Sequence, residues 1–435
     1  MEVAPAAAAS PLRRLLTGLA LALVSLGLTL AALELGVRVL RLAPPNESPG
    51  WFWRVPDPET GWSLQPGAQG RWFNPFYEYD VDVAINRLGL RDVERPSAAK
   101  PPGVFRILLL GDSYVEGLRV PLEQTFGKVL EATLNASAGP GLRFEVVPAG
   151  VSGWGTDQAL LWYRRYGRAY GADLVVLAFF PGNDFQNNLE ALEVANMGRV
   201  QKPFFALEGG ELTLRYHPFD PATAPPPPAE VDQTAGRPAE GLVTPTADRL
   251  YGLSALYRFL APRLAVASPR LARSGWLPAR FAPKTLPPDV YPVAYGVYRR
   301  PPTDQWQEAF ALAEALVREL HRQATADGAG FAVVALTAPE QVYEQRWQRT
   351  VAETPAMQPL AWDLEQPNRV IEAISQAAGI PYLDLLPVFR RQAAADRRPL
   401  HLTHDGHWTP AGERLAGEAI ADFLMAQGLV PARGR

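Results

Sequence analysis

The chain has 435 residues, of which 47% are hydrophobic, 10% aromatic and 20% charged, and its formal net charge is -3. This composition is typical of a globular protein with a sizeable core, and the balanced charge argues against a nucleic-acid binder, which usually carries a basic excess. The absence of cysteine excludes disulfides, a thiol nucleophile and any cysteine-ligated metal centre.

The first predicted element is a membrane-spanning helix near the N-terminus. Residues 15–33 carry no charge, and at ~1.5 Å per residue they would cover roughly 28 Å, close to the ~30 Å core of a bilayer. A buried core helix would normally show a polar stripe, whereas the apolar core of a cleavable signal peptide would be shorter and followed by a small-residue cleavage site. We therefore expect an uncleaved signal anchor within residues 1–42, contacting the membrane through residues 15–40.

The charges that flank this run do not decide its orientation. Arg13 and Arg14 precede it, and Arg38, Arg41 and Arg54 follow it. The simplest topology keeps the short tail inside and places one large soluble domain on the extracytoplasmic side of a single-pass protein.

The soluble part begins with residues 43–103, which we interpret as a linker and an irregular leading segment because they are rich in Pro, Trp and Phe. Five short apolar runs then alternate with helical patterns, which indicates an α/β fold with a parallel sheet. The predicted strands cover residues 104–110, 143–147, 172–180, 330–337 and 381–386. The predicted helices cover residues 121–134, 156–170, 304–326, 368–378 and 409–427.

Residues 184–303 interrupt this alternation and form a long insertion. A Pro-rich middle around residues 218–245 is expected to stay an exposed loop, whereas residues 247–272 have a helical pattern. The insertion is either a surface decoration or a cap over a site at the strand ends; its aromatic and aliphatic content favours a cap.

Four polar segments follow the predicted strands, where an open α/β sheet gathers its functional groups. They are Gly111-Asp112-Ser113, Gly150-Val151-Ser152-Gly153, Gly182-Asn183-Asp184 and His401-Leu402-Thr403-His404-Asp405-Gly406-His407-Trp408. A serine at a helix N-terminus can expose its oxygen and offer its own N–H to an oxyanion, and an asparagine amide can add a further donor. Taken singly, each segment also fits an ordinary cap or turn.

The last segment allows two chemistries. His407 could act as a general base whose tautomer is fixed by Asp405. Alternatively, His401, His404, Asp405 and His407 could ligate a zinc-type ion. A third interpretation makes these histidines polar groups of a loop.

Together, in this order, the four segments resemble the Ser, Gly, Asn and His blocks of the SGNH hydrolase (GDSL) superfamily. The resemblance extends to bacterial membrane-anchored members, in which an INxxGxRD-like segment precedes an FRIxxLGDSxxxG strand. Here those segments are residues 85–92 and 105–117, and the resemblance covers about 85–190 and 304–427. It implies a three-layer sandwich with the flavodoxin-like strand order 2-1-3-4-5.

The resemblance also implies site roles. Ser113 matches the nucleophile, His407 the base and Asp405 the carboxylate that orients it, while Ser113, Gly153 and Asn183 match the oxyanion donors. Two positions depart from the family pattern. His404 stands where many members have the triad Asp, and Pro148 stands where an Asn often precedes the second block.

These matches predict a domain formed by residues 104–183 and 304–427 that attacks acyl esters, most simply acetyl esters, through an acyl-serine intermediate. The expected partners are an acyl-ester substrate, such as acetylated cell-envelope polysaccharide, and the membrane. No cofactor, metal or nucleic acid is expected. Two alternatives remain open: an O-acyltransferase supplied by a membrane acyl-donor protein, and a non-catalytic carbohydrate-binding member of the fold.

Overall fold

The computed structural model describes residues 10–44, 52–74, 76, 78–225, 244–272, 274–278, 281, 289–396 and 398–431. The chain divides into two compact units. The smaller unit comprises residues 1–48, 75–77 and 236–285, and the larger unit comprises residues 49–74, 78–235 and 286–435. The predicted insertion at 184–303 is therefore shared between the two units.

The β-strands of the described residues, in chain order, are β1 (Arg54–Asp57), β2 (Gly61–Leu64), β3 (Gln69–Phe73), β4 (Asp80–Ala84), β5 (Val104–Gly111), β6 (Arg143–Gly150), β7 (Leu174–Phe179), β8 (Phe204–Glu208), β9 (Glu211–Arg215), β10 (Arg299–Arg300), β11 (Gly330–Ala335), β12 (Ala361–Trp362) and β13 (Tyr382–Asp384).

The α-helices of the same residues are α1 (Pro11–Val39), α2 (Ser113–Glu116), α3 (Phe126–Ser137), α4 (Thr156–Arg165), α5 (Asp184–Asn188), α6 (Glu190–Met197), α7 (Thr244–Leu253), α8 (Ala255–Ala267), α9 (Pro269–Ala272), α10 (Asp304–Ala326), α11 (Pro339–Val342), α12 (Glu344–Glu353), α13 (Gln366–Ala377), α14 (Leu386–Ala395) and α15 (Pro410–Ala426). Short 3-10 helices cover Leu122–Gln124, Gly167–Tyr170, Val293–Tyr298 and Pro355–Met357.

Five parallel strands form the central sheet of the larger unit in the order β6-β5-β7-β11-β13. Numbered along the sheet's own strands, this is the expected order 2-1-3-4-5. Side chains of a strand alternate between the two faces. Ile107 and Leu109 of β5 thus enter one apolar cluster and Leu108 and Leu110 the other, and all four are fully buried. The predicted α/β fold with a five-stranded parallel sheet is confirmed.

Helices cover both faces of this sheet and complete the three-layer sandwich. Helices α4, α10 and α13 contribute to one cluster, and α3, α14 and α15 contribute to the other. Helix α10 has the predicted bounds, and its buried Leu312, Leu316 and Leu320 recur every four residues along one face.

The segment before the sheet differs from our expectation of irregular structure. It forms two antiparallel hairpins, β1 with β2 and β3 with β4. The strands are four or five residues long, too short for the pattern to stand out between glycines and prolines. In β4 the signal was present, since buried Val81 and Val83 alternate with exposed Asp80 and Asp82.

The insertion contributes to both units. Its first part forms α5, α6 and the hairpin β8–β9, and its end forms the 3-10 helix Val293–Tyr298. Most of the Pro-rich middle, residues 226–243, lies outside the described residues.

In the smaller unit, the predicted helical stretch 247–272 becomes α7, α8 and α9. Their small core includes Tyr251, Ala261, Ala265 and Phe281. Helix α1 belongs to the same unit, and among the described helices it alone is long and apolar enough to cross a membrane.

Candidate active site

The site begins where β5 ends. Strand β5 stops at Gly111, and Asp112 caps the one-turn helix α2 by accepting a hydrogen bond from the N–H of Tyr114 at 2.9 Å. Ser113 is therefore the first residue of a helix that starts at the carboxyl edge of the sheet. The neighbouring β6 ends at Gly150, where a Cβ would lie 2.5 Å from that of Val115, so only glycine lets α2 approach the sheet this closely.

The histidine segment forms a tight turn before α15. The N–H of Leu402 donates to the carbonyl oxygen of His407 at 2.7 Å, and Gly406 adopts the left-handed φ of 85° that reverses the chain between Asp405 and His407. The following Trp408 is fully buried and stacks on Phe389 with ring centroids 5.0 Å apart. The turn is thus fixed to the core on its C-terminal side, which holds the imidazole in place.

The structure brings Ser113, His407 and Asp405 together. The Oγ of Ser113 lies 2.8 Å from Nε2 of His407, and Nδ1 of His407 lies 2.5 Å from Oδ1 of Asp405. Because an ionised carboxylate can only accept, Nδ1 carries the proton, and Nε2 presents its lone pair to the serine hydroxyl. The serine hydroxyl therefore faces a base whose tautomer is fixed.

Asp405 is held by groups that the sequence patterns did not indicate. The Nε of Arg119 donates to Oδ1 of Asp405 at 3.0 Å, and the hydroxyl of Tyr79 donates to Oδ2 at 3.2 Å. The backbone N–H of Asp405 donates to Glu78 at 3.0 Å. No spacing links Tyr79 or Glu78 to the histidine segment, which lies more than 300 residues further along the chain, so only the folded chain could identify them.

These contacts set the charge state of the dyad. Burial opposes ionisation of Asp405, but the hydrogen bond from His407 and the charge of Arg119 outweigh it and lower the pKa of Asp405. Burial and the neighbouring Arg119 guanidinium lower the pKa of His407 below its usual value, although Asp405 opposes this shift. The site therefore favours an ionised Asp405 beside a neutral His407 at neutral pH.

The predicted oxyanion donors follow three adjacent strands. Gly111 of β5 pairs with Gly150 of β6, so Ser113 and Gly153 follow neighbouring strand ends, and Asn183 follows β7 on the other side of β5. The Nδ2 of Asn183 donates to Oδ2 of Asp112 at 3.1 Å, which uses one of the two N–H groups of this amide. Asp112 thus links the first and third of the sequence blocks.

Buried polar groups fix the loops that carry Ser113 and Gly153. The Glu116 carboxylate accepts from Nε1 of Trp53 at 2.8 Å and from the N–H of Ser152 at 2.7 Å, so α2 holds the loop next to Gly153. From the INxxGxRD-like segment, buried Arg91 donates to the carbonyl oxygens of Glu116 at 3.0 Å and Val120 at 2.6 Å. This segment therefore braces the chain that follows Ser113.

The three histidines of the last segment have different partners. Nε2 of His401 lies 3.1 Å from the hydroxyl of buried Thr337, and Nδ1 of His404 lies 3.3 Å from Glu78, whereas His407 faces Ser113. Within the described part of the chain, no group of three or more His, Asp or Glu side chains is arranged to hold a metal ion. The geometry therefore does not assemble the alternative zinc ligand set.

A cavity of about 200 Å³ opens beside His407. It is lined by Tyr114, Phe180, Gly182, Ala294, Tyr295, Tyr298, Ala338, Pro339, Glu340, Arg346, Asp405, Gly406 and His407. Tyr295 and Tyr298 come from the last part of the insertion. Larger cavities of the same unit, of about 500 and 690 Å³, are lined by other residues.

Residues 298–434 match the family described as "SGNH hydrolase-like domain, acetyltransferase AlgX". This interval contains the histidine segment but not Ser113. This match agrees with the resemblance to the SGNH hydrolase superfamily that the four sequence blocks carry. The predicted kind of enzyme, an SGNH/GDSL-type ester hydrolase or O-acyltransferase, is confirmed at that level.

Solved structures to which the chain is similar include a catalytic mutant of the acetylxylan esterase Axe2 from Geobacillus stearothermophilus, which is 14% identical, with 76% of this chain and 97% of that chain covered and a TM-score of 0.35. TesA is 12% identical over 75% and 99% of the two chains with a TM-score of 0.34. A two-domain esterase active on acetylated mannans is 11% identical over 76% and 52%, with a TM-score of 0.36. No curated protein matches the sequence. Similarity at this level does not identify a substrate for the SGNH domain.

Proposed function

We propose that this protein is a membrane-anchored serine enzyme that cleaves short acyl esters, most simply acetyl esters, with Ser113, His407 and Asp405 as its triad. The observation that carries the proposal is the continuous path from the Oγ of Ser113 through both ring nitrogens of His407 to Asp405, with separations of 2.8 and 2.5 Å. The cavity beside His407, about 200 Å³ in volume, suits a small acyl group better than a long chain.

In the proposed reaction, the Oγ of Ser113 attacks the ester carbonyl carbon while Nε2 of His407 takes the hydroxyl proton. The negative charge that develops on the carbonyl oxygen is stabilised by the N–H groups of Ser113 and Gly153 and by the Asn183 amide. Collapse of the tetrahedral intermediate breaks the bond to the alcohol, which leaves with the proton from His407. The acyl group then remains on Ser113.

The second half-reaction reverses these steps with a new nucleophile. His407 deprotonates an incoming hydroxyl, which attacks the acyl-serine, and the proton returns to Ser113 as the acyl group leaves. Water yields a carboxylic acid, and a sugar hydroxyl yields a new ester. The match to a family described as an acetyltransferase favours O-acyl transfer to a polysaccharide as the second candidate function.

We further propose that α1 anchors the enzyme to the membrane. The helix spans Pro11–Val39, and its most apolar stretch has no residue buried in the protein. Apolar side chains exposed over this length are stable in hydrocarbon but not in water.

The decisive experiment is turnover of aryl acetate and longer aryl esters by the full chain in detergent, with and without a sugar acceptor. Ser113→Ala should lower turnover by roughly 10⁴-fold or more, because the nucleophile is lost. Ser137→Ala, at the C-terminal end of α3, is the matched control and should retain parental activity. Equal turnover by Ser113→Ala would contradict the assignment, and acylated sugar in place of free acid would favour the transferase.

A further inference from the structure

Helices α7 and α8 expose large aliphatic side chains to the surface and bury small alanines. Helix α8 buries Ala261 and Ala265, which are 0% and 8% exposed, whereas Leu264 and Val266 are 39% and 53% exposed. In water, large aliphatic side chains are buried in preference to alanine. This face therefore has the composition of a surface that meets an apolar environment.

Large apolar side chains are also exposed in α7 and beyond α9. In α7, Leu250 is 46% and Leu253 75% exposed, and Trp276 beyond α9 is 68% exposed. Large apolar side chains exposed in this number along one short segment are typical of a surface that binds an apolar partner.

The segment is also strongly basic. Residues 244–285 contain seven Arg and Lys and a single acidic residue, Asp248, although the whole chain has a net charge of -3. Arg249, Arg263 and Arg270 are exposed in the described part of the segment. Exposed aliphatic residues, a tryptophan and several arginines together characterise helices that lie in the interface of an anionic bilayer.

The position of α8 along α1 identifies the partner. Glu34 is the first charged residue after the apolar run, and its carboxylate accepts hydrogen bonds from the N–H of Ala255 at 2.9 Å and from that of Leu256 at 2.8 Å. Arg38 donates to the carbonyl oxygen of Leu253 at 2.8 Å. The junction of α7 and α8 is thus bonded to α1 at the level where α1 leaves the hydrocarbon.

We propose that α7–α9 form a membrane-surface platform that lies in the headgroup region of an anionic bilayer beside the anchor helix. The proposal rests on the anchoring role of α1 given above. The apolar side chains of the platform insert below the headgroups, and the arginines of the platform contact lipid phosphates. The occupant of this surface is therefore lipid and not a protein partner.

The absence of cysteine makes the test direct, because one introduced cysteine gives a unique labelling site. The full chain carrying Val266→Cys is spin-labelled and reconstituted into vesicles of phosphatidylglycerol and phosphatidylcholine. The accessibility of the label to oxygen is then compared with its accessibility to a water-soluble nickel complex. Leu26→Cys in α1 is the reference for immersion, and Ala352→Cys on the exposed face of α12 is the matched aqueous control. Circular dichroism verifies that each variant is folded.

The proposal predicts that the Val266 label is immersed at the interface, with an oxygen-to-nickel accessibility ratio several-fold above that of Ala352 and below that of Leu26 in the hydrocarbon core. Replacing both Arg249 and Arg270 by Gln should shift the equilibrium of the Val266 label from the bilayer to water by roughly tenfold or more in anionic vesicles. Each arginine near such a surface contributes about 1 kcal/mol to membrane binding. The same pair should have a much smaller effect in phosphatidylcholine alone.

The outcomes separate this inference from the anchoring proposal. An aqueous label at Leu26 would overturn anchoring itself. An immersed Leu26 with an aqueous Val266 would overturn only the platform, and a Val266 label shielded from both reagents would replace lipid by a protein partner.

Discussion

Asp405 is two residues before His407, and the position three residues before is His404. The observed geometry distinguishes the two, because the carboxylate of Asp405 contacts Nδ1 of His407 at 2.5 Å whereas the ring of His404 is directed to Glu78 at 3.3 Å. In the proposed reaction, a carboxylate on Nδ1 selects the tautomer and stabilises the imidazolium that forms when Ser113 attacks.

We expect Asp405→Asn to lower kcat by roughly 10³-fold or more, because an amide can donate to Nδ1 and impose the wrong tautomer. His404→Ala should lower kcat by less than about tenfold, because the His404 ring contacts Glu78 and not the pair formed by Ser113 and His407. Steady-state hydrolysis of an aryl acetate measures both. A larger loss in His404→Ala would show that the dyad is misassigned.

Besides burial, Arg119 lowers the pKa of His407, the proposed base. It donates to Asp405, its side chain is 9% exposed, and its charge is among the causes that lower the pKa of His407. Because the reaction needs a neutral base, activity is lost as the pH falls through the pKa of His407. A lowered pKa therefore extends activity to more acidic pH.

Arg119→Gln should raise the pKa of His407 and move the acid limb of the kcat/KM profile to higher pH. Arg346→Gln is the matched control, since Arg346 lines the same cavity but pairs with Glu340. Its acid limb should coincide with that of the parent. An unshifted limb in Arg119→Gln would show that Arg119 only orients Asp405.

At the level of elements, the packing of α15 on α3 supports the histidine turn, because α15 begins at Pro410, three residues after His407. The two helices approach closely at Gly417, where a Cβ would lie 2.7 Å from the carbonyl oxygen of Phe126 and 2.7 Å from the Cβ of Val129. One helix turn earlier, Glu413 accepts from the N–H of Phe126 at 2.8 Å.

Gly417→Ala should therefore separate the helices and lower the free energy of unfolding by about 1–3 kcal/mol, the usual effect of overpacking. Urea unfolding of the full chain in detergent measures the change. Glu418→Ala, at an exposed position of the same helix, is the control and should change the free energy by less than about 0.5 kcal/mol. Equal stability of the two variants would contradict the close approach.

For the whole molecule, the contacts of α1 bear on whether it is removed after synthesis. Glu34 accepts from the N–H of Ala255 at the start of α8, and Arg38 donates to the carbonyl oxygen of Leu253 at the end of α7. Arg258 of α8 donates to the carbonyl oxygen of Pro44 at 3.3 Å. Cleavage on the C-terminal side of Glu34 would remove its carboxylate and leave the N–H groups of Ala255 and Leu256 without their acceptor.

We therefore expect the mature protein to retain α1. Its intact mass after extraction from membranes should include residues 11–39, and it should stay with the membrane after an alkaline wash. Glu34→Gln should weaken the contact with α8 and increase protease cleavage near residue 253, whereas Glu353→Gln on α12 should not. A mature N-terminus beyond residue 39 would contradict the prediction.

Local patterns in the sequence were sufficient for the strands and helices of the core. A buried parallel strand is a short apolar run and an amphipathic helix repeats about every 3.6 residues, so β5, β7, β11 and α10 could be predicted from the residues they contain. The strand order and the candidate site residues came with the resemblance carried by the blocks at Ser113, Gly153, Asn183 and His407. The short hairpins β1–β2 and β3–β4 were missed because four or five residues carry too little pattern.

Only the tertiary structure could identify the contacts between residues that are far apart in the chain. Ser113 and His407 are 294 positions apart, and Arg119, Tyr79 and Glu78 reach Asp405 from segments with no spacing relation to it. Likewise, the pairing of Glu34 with the start of α8 joins residues 221 positions apart. The physical reason is that periodicity and capping report only on neighbours along the chain, whereas charge pairing, burial and pKa depend on which surfaces the folded chain brings together.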